Sequence, residues 1–418
     1  MNPLDSKYLL AIAAIAAAVI VVAFLVNRHA SAARSADPSP AQAAAPPSLG
    51  KLPLPLEPTA STTVDEVDVC GYGRVEGSAS EEIETTAQTA AERFLGRFAA
   101  KLAASPNEHE AALGVFLDPW ILQGIRDEYL QDHPKCNDSQ SCQQYASDLA
   151  ERKTEEIGDA VVKSASGTRD PRLYALALQA CGTAFGNAFG GRSWAACSLL
   201  SVARWAELEP DNGVPWLLVA LRANDAAARD QAVYHASTAK RFDAYFPNFA
   251  GMLQWPEIRA EAPQIRWAIA DELFAMELGR PVLSYGPFLQ FCNYPAVADA
   301  TRIGTCGDLA NLLLTQDRTL MGFGTAVRLA QSADWPRDKV DALRDEKEAV
   351  YKAAQGGVAA QKPSKAVSDC EDLARLERWS ADYAELGQLG VARRLVESTS
   401  RKPGQPAPTP SNQVREGK

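Results

Sequence analysis

The sequence predicts an all-α protein: a single N-terminal transmembrane helix, then a disulfide-stapled helical domain built of antiparallel helix pairs. Three observations carry this expectation. Leu9 to Val26 form eighteen residues without a charge. Beyond them, helix-start signals recur, and apolar residues follow at three-to-four spacing rather than in alternation. All eight cysteines lie after the apolar segment.

At about 1.5 Å per residue, Leu9–Val26 would span about 27 Å as a helix, close to the roughly 30 Å of a hydrocarbon core. Tyr8 and Arg28 then fall at the two interfaces. Ala30-Ser31-Ala32 also offers a small-x-small cleavage pattern, so a removed signal peptide is the alternative. The run is longer than the usual signal core, which favours an anchor spanning 9–26 with residues 1–8 in the cytoplasm.

Charge does not orient that anchor, because Lys7 on one side faces Arg28 and Arg34 on the other. The cysteines do. Cys70, Cys136, Cys142, Cys181, Cys197, Cys292, Cys306 and Cys370 form an even set with no C-x-x-C pair. The four histidines, His29, His109, His133 and His235, are scattered, so a zinc site has poor raw material. Disulfides are the better reading, and they place the bulk of the chain in an oxidising compartment. High alanine content and a simple amino-terminal anchor suit a periplasm beyond an inner membrane, although a secretory-pathway protein of another origin would look similar. Eight cysteines allow 105 connectivities. Short separations suggest Cys136–Cys142, Cys181–Cys197 and Cys292–Cys306, leaving Cys70 with Cys370.

The net charge of −10 over 418 residues argues against nucleic-acid binding, which depends on neutralising phosphates. Residues 27–66 are rich in Pro, Ala and Ser and read as a semi-extended linker. Residues 401–418 repeat that composition as a disordered tail. Between them lie an N-terminal helical part, 67–168, a middle part, 169–285, and a C-terminal part, 286–400.

Local signals place the helices. Ser78-x-x-Glu81 reads as a capping box. Asp170-Pro171 pairs an N-cap with a proline at the first helical position. Trp335-Pro336 opens a helix that Gly356-Gly357 should stop, with Arg344 and Glu348 paired along its face. Ser368-x-x-Glu371 caps the last, whose stripe of Leu373, Leu376, Trp379, Tyr383 and Leu386 faces a core. "VDVCGYGRV", 67–75, is the best candidate for an extended piece.

"WAELEPDNGVPW", 205–216, closes one helix and opens another. Counting from Trp216, small residues follow at Ala220, Ala232, Ala236 and Ala239, where they let two helices approach closely. Pro210 stands six residues before the tryptophan, at the turn. Over about residues 171–245 this resembles a tetratricopeptide repeat. Ala223 and Ala236 depart from it where large aromatics are usual, and Ala244 departs where proline is. Pro256 and Pro263 break the register of any next unit. The resemblance implies a scaffold whose concave groove takes peptide segments. Leu217, Leu221 and Asn224 are the groove candidates, although burial under the rest of the domain is the better reading of them. A Cys181–Cys197 bridge would staple the two helices of the preceding pair.

No residue is assigned a catalytic, cofactor-binding or metal-binding role. Gly191-Arg192-Ser193-Trp194-Ala195 approaches a nucleophile elbow, but no strand precedes it, and Ser193 sits where an N-cap belongs. Gly71-Tyr72-Gly73 and Gly322-Phe323-Gly324 read as turns or tight packing rather than nucleotide fingerprints. Asn107-Glu108-His109-Glu110 lacks a second histidine and reads as a solvated turn. The Cys292–Cys306 segment, carrying Asn293, Tyr294, Asp299 and Arg302, reads as a disulfide-fixed turn between core helices. The expectation is therefore a non-enzymatic envelope scaffold that meets other envelope proteins and needs no cofactor. An envelope hydrolase with paired carboxylates and a small-ligand-binding ectodomain are the alternatives.

Overall fold

The structure is a computed structural model and describes residues 66–182, 194–278, 283–293, 300–361 and 370–400. The apolar segment 9–26, most of the 27–66 linker, Ser193, Tyr294, Asp299, Ser368 and the 401–418 tail lie outside them. Among the described residues no helix is long and apolar enough to cross a membrane.

The described chain is helical except for one hairpin. Its strands, β1 (Glu66–Val69) and β2 (Gly73–Glu76), pair antiparallel with Val67 opposite Val75 and Asp68 opposite Arg74. The turn needs two left-handed residues, and glycines supply both, Gly71 at φ 88° and Gly73 at φ 77°. Only Val69 and Cys70 turn inward, so the segment shows no clean alternation. β2 runs straight into the helix Gly77–Ala103, whose N-cap is Glu76 with no side-chain cap. The Ser78 capping box is thus corrected: the hairpin sets the helix entry two residues earlier.

That helix packs against Asp118–Asp132 and Pro263–Leu278. Its crossing with Asp118–Asp132 brings Gly96 and Gly124 backbone to backbone, where a Cβ on Gly124 would lie 2.2 Å from the Gly96 carbonyl oxygen. Glu108–Phe116 packs beside it, with Gly114 equally tight on Ala103. The 107–110 segment is a helix start rather than a solvated turn, because the Asn107 side chain accepts from the N–H groups of His109 and Glu110. His109 also meets the Asp170 carboxylate at 2.9 Å. Asp170 in turn caps Pro171–Ala180 through the N–H groups of Arg172 and Leu173, as its sequence predicts.

One apolar core runs from Ala91 to Val340 and includes the fully buried Trp205, Tyr174, Phe249 and Phe288. Residues of all three helical parts share it. A smaller cluster of Leu320, Phe323, Val327, Val350, Leu389 and Ala392 joins Leu320–Ser332 to the last two helices, Arg337–Gln361 and Cys370–Ser400. The first of these continues past Gly356-Gly357 to Gln361, contrary to expectation. Glycine costs a helix only about 1 kcal/mol per residue, so a glycine pair weakens a helix without having to end it. Arg344 pairs with Asp341 rather than Glu348, the two positions being equally reachable on a helix surface. In the last helix Leu373 is buried and Trp379 packs 4.5 Å from Phe274, so the predicted stripe does face a core.

All eight cysteines are bridged: Cys70–Cys370, Cys136–Cys142, Cys181–Cys197 and Cys292–Cys306. Cys181 follows the end of Pro171–Ala180, but Cys197 lies in a 3-10 turn, Ala195–Leu199, ahead of the next helix. That bridge therefore ties a helix end to a turn rather than stapling two helices.

Candidate functional site

The joint at 205–216 is built around one buried carboxylate. Val202–Leu208 ends at Glu209, the chain turns through Pro210 and Asp211, and Asn212 caps Gly213–Arg222 by accepting from Val214 N–H. Ala226–Ser237 then folds back on that helix, with Ala220, Ala232 and Ala236 buried between the two. Small side chains at these positions let the helix axes approach, as their spacing predicts.

What locks the joint arrives from downstream. Residues 240–245 return alongside the turn, with Gly213 N–H donating to Arg241 O at 2.8 Å and Lys240 N–H to Asp211 O at 2.9 Å. Asn212, fully buried, acts as a side-chain peptide: its Nδ2 donates to Asp243 O at 2.7 Å and its Oδ1 accepts from Asp243 N–H at 3.0 Å. Glu209 accepts four donors. Trp205 Nε1 and Asn212 Nδ2 reach one oxygen at 3.1 and 3.0 Å, while Tyr245 OH and Arg241 Nη2 reach the other at 2.5 and 2.7 Å. Tyr245 reaches it from φ 54°, a left-handed conformation that few non-glycine residues adopt, held by its N–H on Asp243 Oδ1. Burial pushes the Tyr245 phenol well above its ordinary range, and the Glu209 carboxylate beside it adds to that. A hydrogen bond from Arg241 holds the exposed Asp211 carboxyl below its usual range.

A carboxylate whose two oxygens already take four donors is a structural acceptor, not a base open to a substrate. Its effect is to hold the helix pair in one orientation. On the outside of that pair Trp216 donates to Pro210 O at 3.1 Å and stacks on His235, ring centroids 4.4 Å apart. Tyr234 meets His235 edge-on and is 51% exposed. The joint thus carries a short aromatic strip on a rigid base.

Of the three groove candidates, Leu217 follows the burial reading and not the groove. It is fully buried in the main core, because its side of the helix meets the rest of the domain. Leu221 and Asn224 are exposed. Leu217 and Leu221 share one helix, on sides that spacing could not distinguish, whereas Asn224 lies in the connection after it.

A second polar centre was not singled out by any motif. Tyr285 OH donates to Asp317 Oδ2 at 2.5 Å, and Thr319 N–H donates to Asp317 Oδ1 at 2.9 Å. The Asp317 carboxylate fills the space beside Gly322, where any Cβ would collide with it. That explains Gly322 in the Gly322-Phe323-Gly324 stretch as tight packing. The adjacent Arg318 docks on a break in the last helix at Gly387 (φ 69°), with Leu389 N–H on Arg318 O at 2.8 Å. Burial raises the Asp317 carboxyl above its ordinary range, with its hydrogen bonds only partly opposing this. The sign follows by linkage: the native state holds this proton more tightly than the unfolded chain. Stability contributed here is greatest in acid and declines as pH rises through the raised native value. Asp317→Asn, which cannot titrate, is expected to lose that decline. Urea unfolding of both proteins from acid to neutral pH checks it, and parallel pH curves would refute it.

Arg302 pairs with Asp230 at 2.8 Å and lies over the Phe291 ring, so it links Ala300–Gln316 to Ala226–Ser237 and to Gly286–Cys292. Among the described residues no group of three or more His, Cys, Asp or Glu is placed to hold a metal ion. No family model, curated protein or solved structure matches the chain.

Proposed function

We propose that the chain is a membrane-anchored periplasmic adaptor, tethered through residues 9–26, whose helical domain meets other envelope proteins at the 205–245 joint. One observation carries this reading: the Trp216–His235–Tyr234 strip lies on a helix pair that a saturated polar clamp holds rigid. Rigid aromatic side chains bind partners at low entropic cost, and such residues dominate binding energy at protein interfaces. Four disulfides support the oxidising compartment. The tetratricopeptide resemblance agrees with a peptide-binding role. The strip, however, does not include the buried Leu217.

The test is crosslinked affinity capture from native membranes. Full-length protein should enrich a stoichiometric partner that the anchor and linker alone do not. Tyr234→Ala should reduce that enrichment by about tenfold or more, with an unchanged melting temperature. Equal capture by Tyr234→Ala and the parent would sink the assignment of the strip.

A further inference from the structure

Three of the four disulfides have both partners buried or span most of the chain. Cys136–Cys142 differs in its surroundings. It closes a separation of six residues, the shortest of the four, at a corner between Asp118–Asp132 and Gln140–Ser166. Residues 131–135, 140, 141 and 143–145 around it are all exposed, and Cys142 itself is half-buried.

Cys142 is the third residue of a 27-residue helix. That helix has no side-chain cap at Ser139 and no acid in its first turn. Cys142 therefore lies in a first turn that holds no carboxylate, where the positive end of the helix dipole favours a thiolate. Cys370 makes the contrast. It too opens a helix and is exposed, but Glu371 and Asp372 sit beside it in the first turn. Those charges oppose a thiolate there. Its bridge to Cys70 also closes 300 residues of chain, where loss of the cross-link frees the most unfolded-state entropy. Cys181, Cys197, Cys292 and Cys306 are all buried.

We propose that Cys136–Cys142 is a thiol–disulfide exchange site, opened by a dithiol reductant while the other three bridges and the fold persist. A thiolate of the reductant attacks the accessible Cys142 sulfur, forming a mixed disulfide, and Cys136 leaves and takes up a proton. The second thiolate of the reductant then attacks its partner sulfur in the mixed disulfide. Cys142 leaves as a thiolate held by the helix N-terminus. One protein disulfide becomes two thiols and one dithiol becomes a disulfide, so electrons balance. The corner released carries the stacked Tyr129–His133 pair, with Tyr145 packed 5.5 Å from Tyr129. Exchange therefore changes the order of an exposed aromatic surface.

The experiment is timed reduction of the folded protein with dithiothreitol, quenched by alkylation and read by peptide mass spectrometry. Cys136 and Cys142 should be labelled at least about tenfold faster than any other cysteine, with far-ultraviolet circular dichroism unchanged at that stage. Gln140→Glu, which puts a carboxylate in the first turn, should slow the Cys136–Cys142 step severalfold and leave the other bridges unaffected. If another bridge opens first, or all four open together with loss of helix, the proposal is overturned. A Gln140→Glu protein that exchanges at the parent rate overturns the assigned role of the helix N-terminus.

Discussion

Replacing Glu209 with glutamine is expected to lower the unfolding free energy by about 3 kcal/mol, although the change removes a single charge and no volume. The carboxylate faces donors at both oxygens: Trp205 and Asn212 at one, Tyr245 and Arg241 at the other. An amide keeps one acceptor and turns an NH2 group toward two donors at the other position. Whichever way it flips, buried polar groups lose partners. Arg241 is nearly half exposed, so the expected loss comes chiefly from the buried Trp205 and Asn212 contacts or from Tyr245, not from the ion pair. The midpoint of urea denaturation measures it. A shift corresponding to less than about 0.5 kcal/mol would mean that the clamp does not hold the joint.

The second large effect is expected at Gly124. Alanine there places a methyl carbon against the Gly96 backbone rather than a movable side chain. The helices Gly77–Ala103 and Asp118–Asp132 would have to separate, and Leu95, Ile121 and Ile125 would lose packing with them. A cost of about 3 kcal/mol or more is expected. Gly304 is the control. It lies inside Ala300–Gln316 with nothing within 4 Å of an added Cβ. Gly304→Ala should therefore stabilise the protein by about 0.5–1 kcal/mol through helix propensity alone. Thermal melts of the two variants should move in opposite directions. Equal shifts would show that the close crossing at Gly96–Gly124 carries no weight.

Short-range chemistry was legible in the sequence. Asp170-Pro171 starts a helix because the cap and the N–H groups that it satisfies are within three residues of each other. The alanines after Trp216 are buried between two helices because a three-residue connection leaves those helices no other neighbour so close. The hairpin turn follows from glycines that tolerate positive φ. Where such signals failed, a neighbour intervened. β2 took over the entry of the first long helix, and the glycine pair Gly356-Gly357 was too weak a signal to end another.

The candidate site was legible only in half. Trp205, Glu209 and Asn212 share one turn, and their composition marked it as a joint. Tyr245, 36 residues from Glu209, and Asp243, 31 residues from Asn212, complete it only because 240–245 returns across the turn. Tyr285 and Asp317 meet across 32 residues with no motif to announce them. Capping, periodicity and cysteine separation are properties of neighbouring residues, so the sequence alone determined an α-helical, disulfide-bonded domain and a few of its helix starts, such as Asp170-Pro171. Which side of the Leu217 helix is buried, which carboxylates are enclosed and which disulfide stays within reach of solvent were decided by tertiary packing. Burial depends on what the rest of the chain lays over a residue, and distant segments set that.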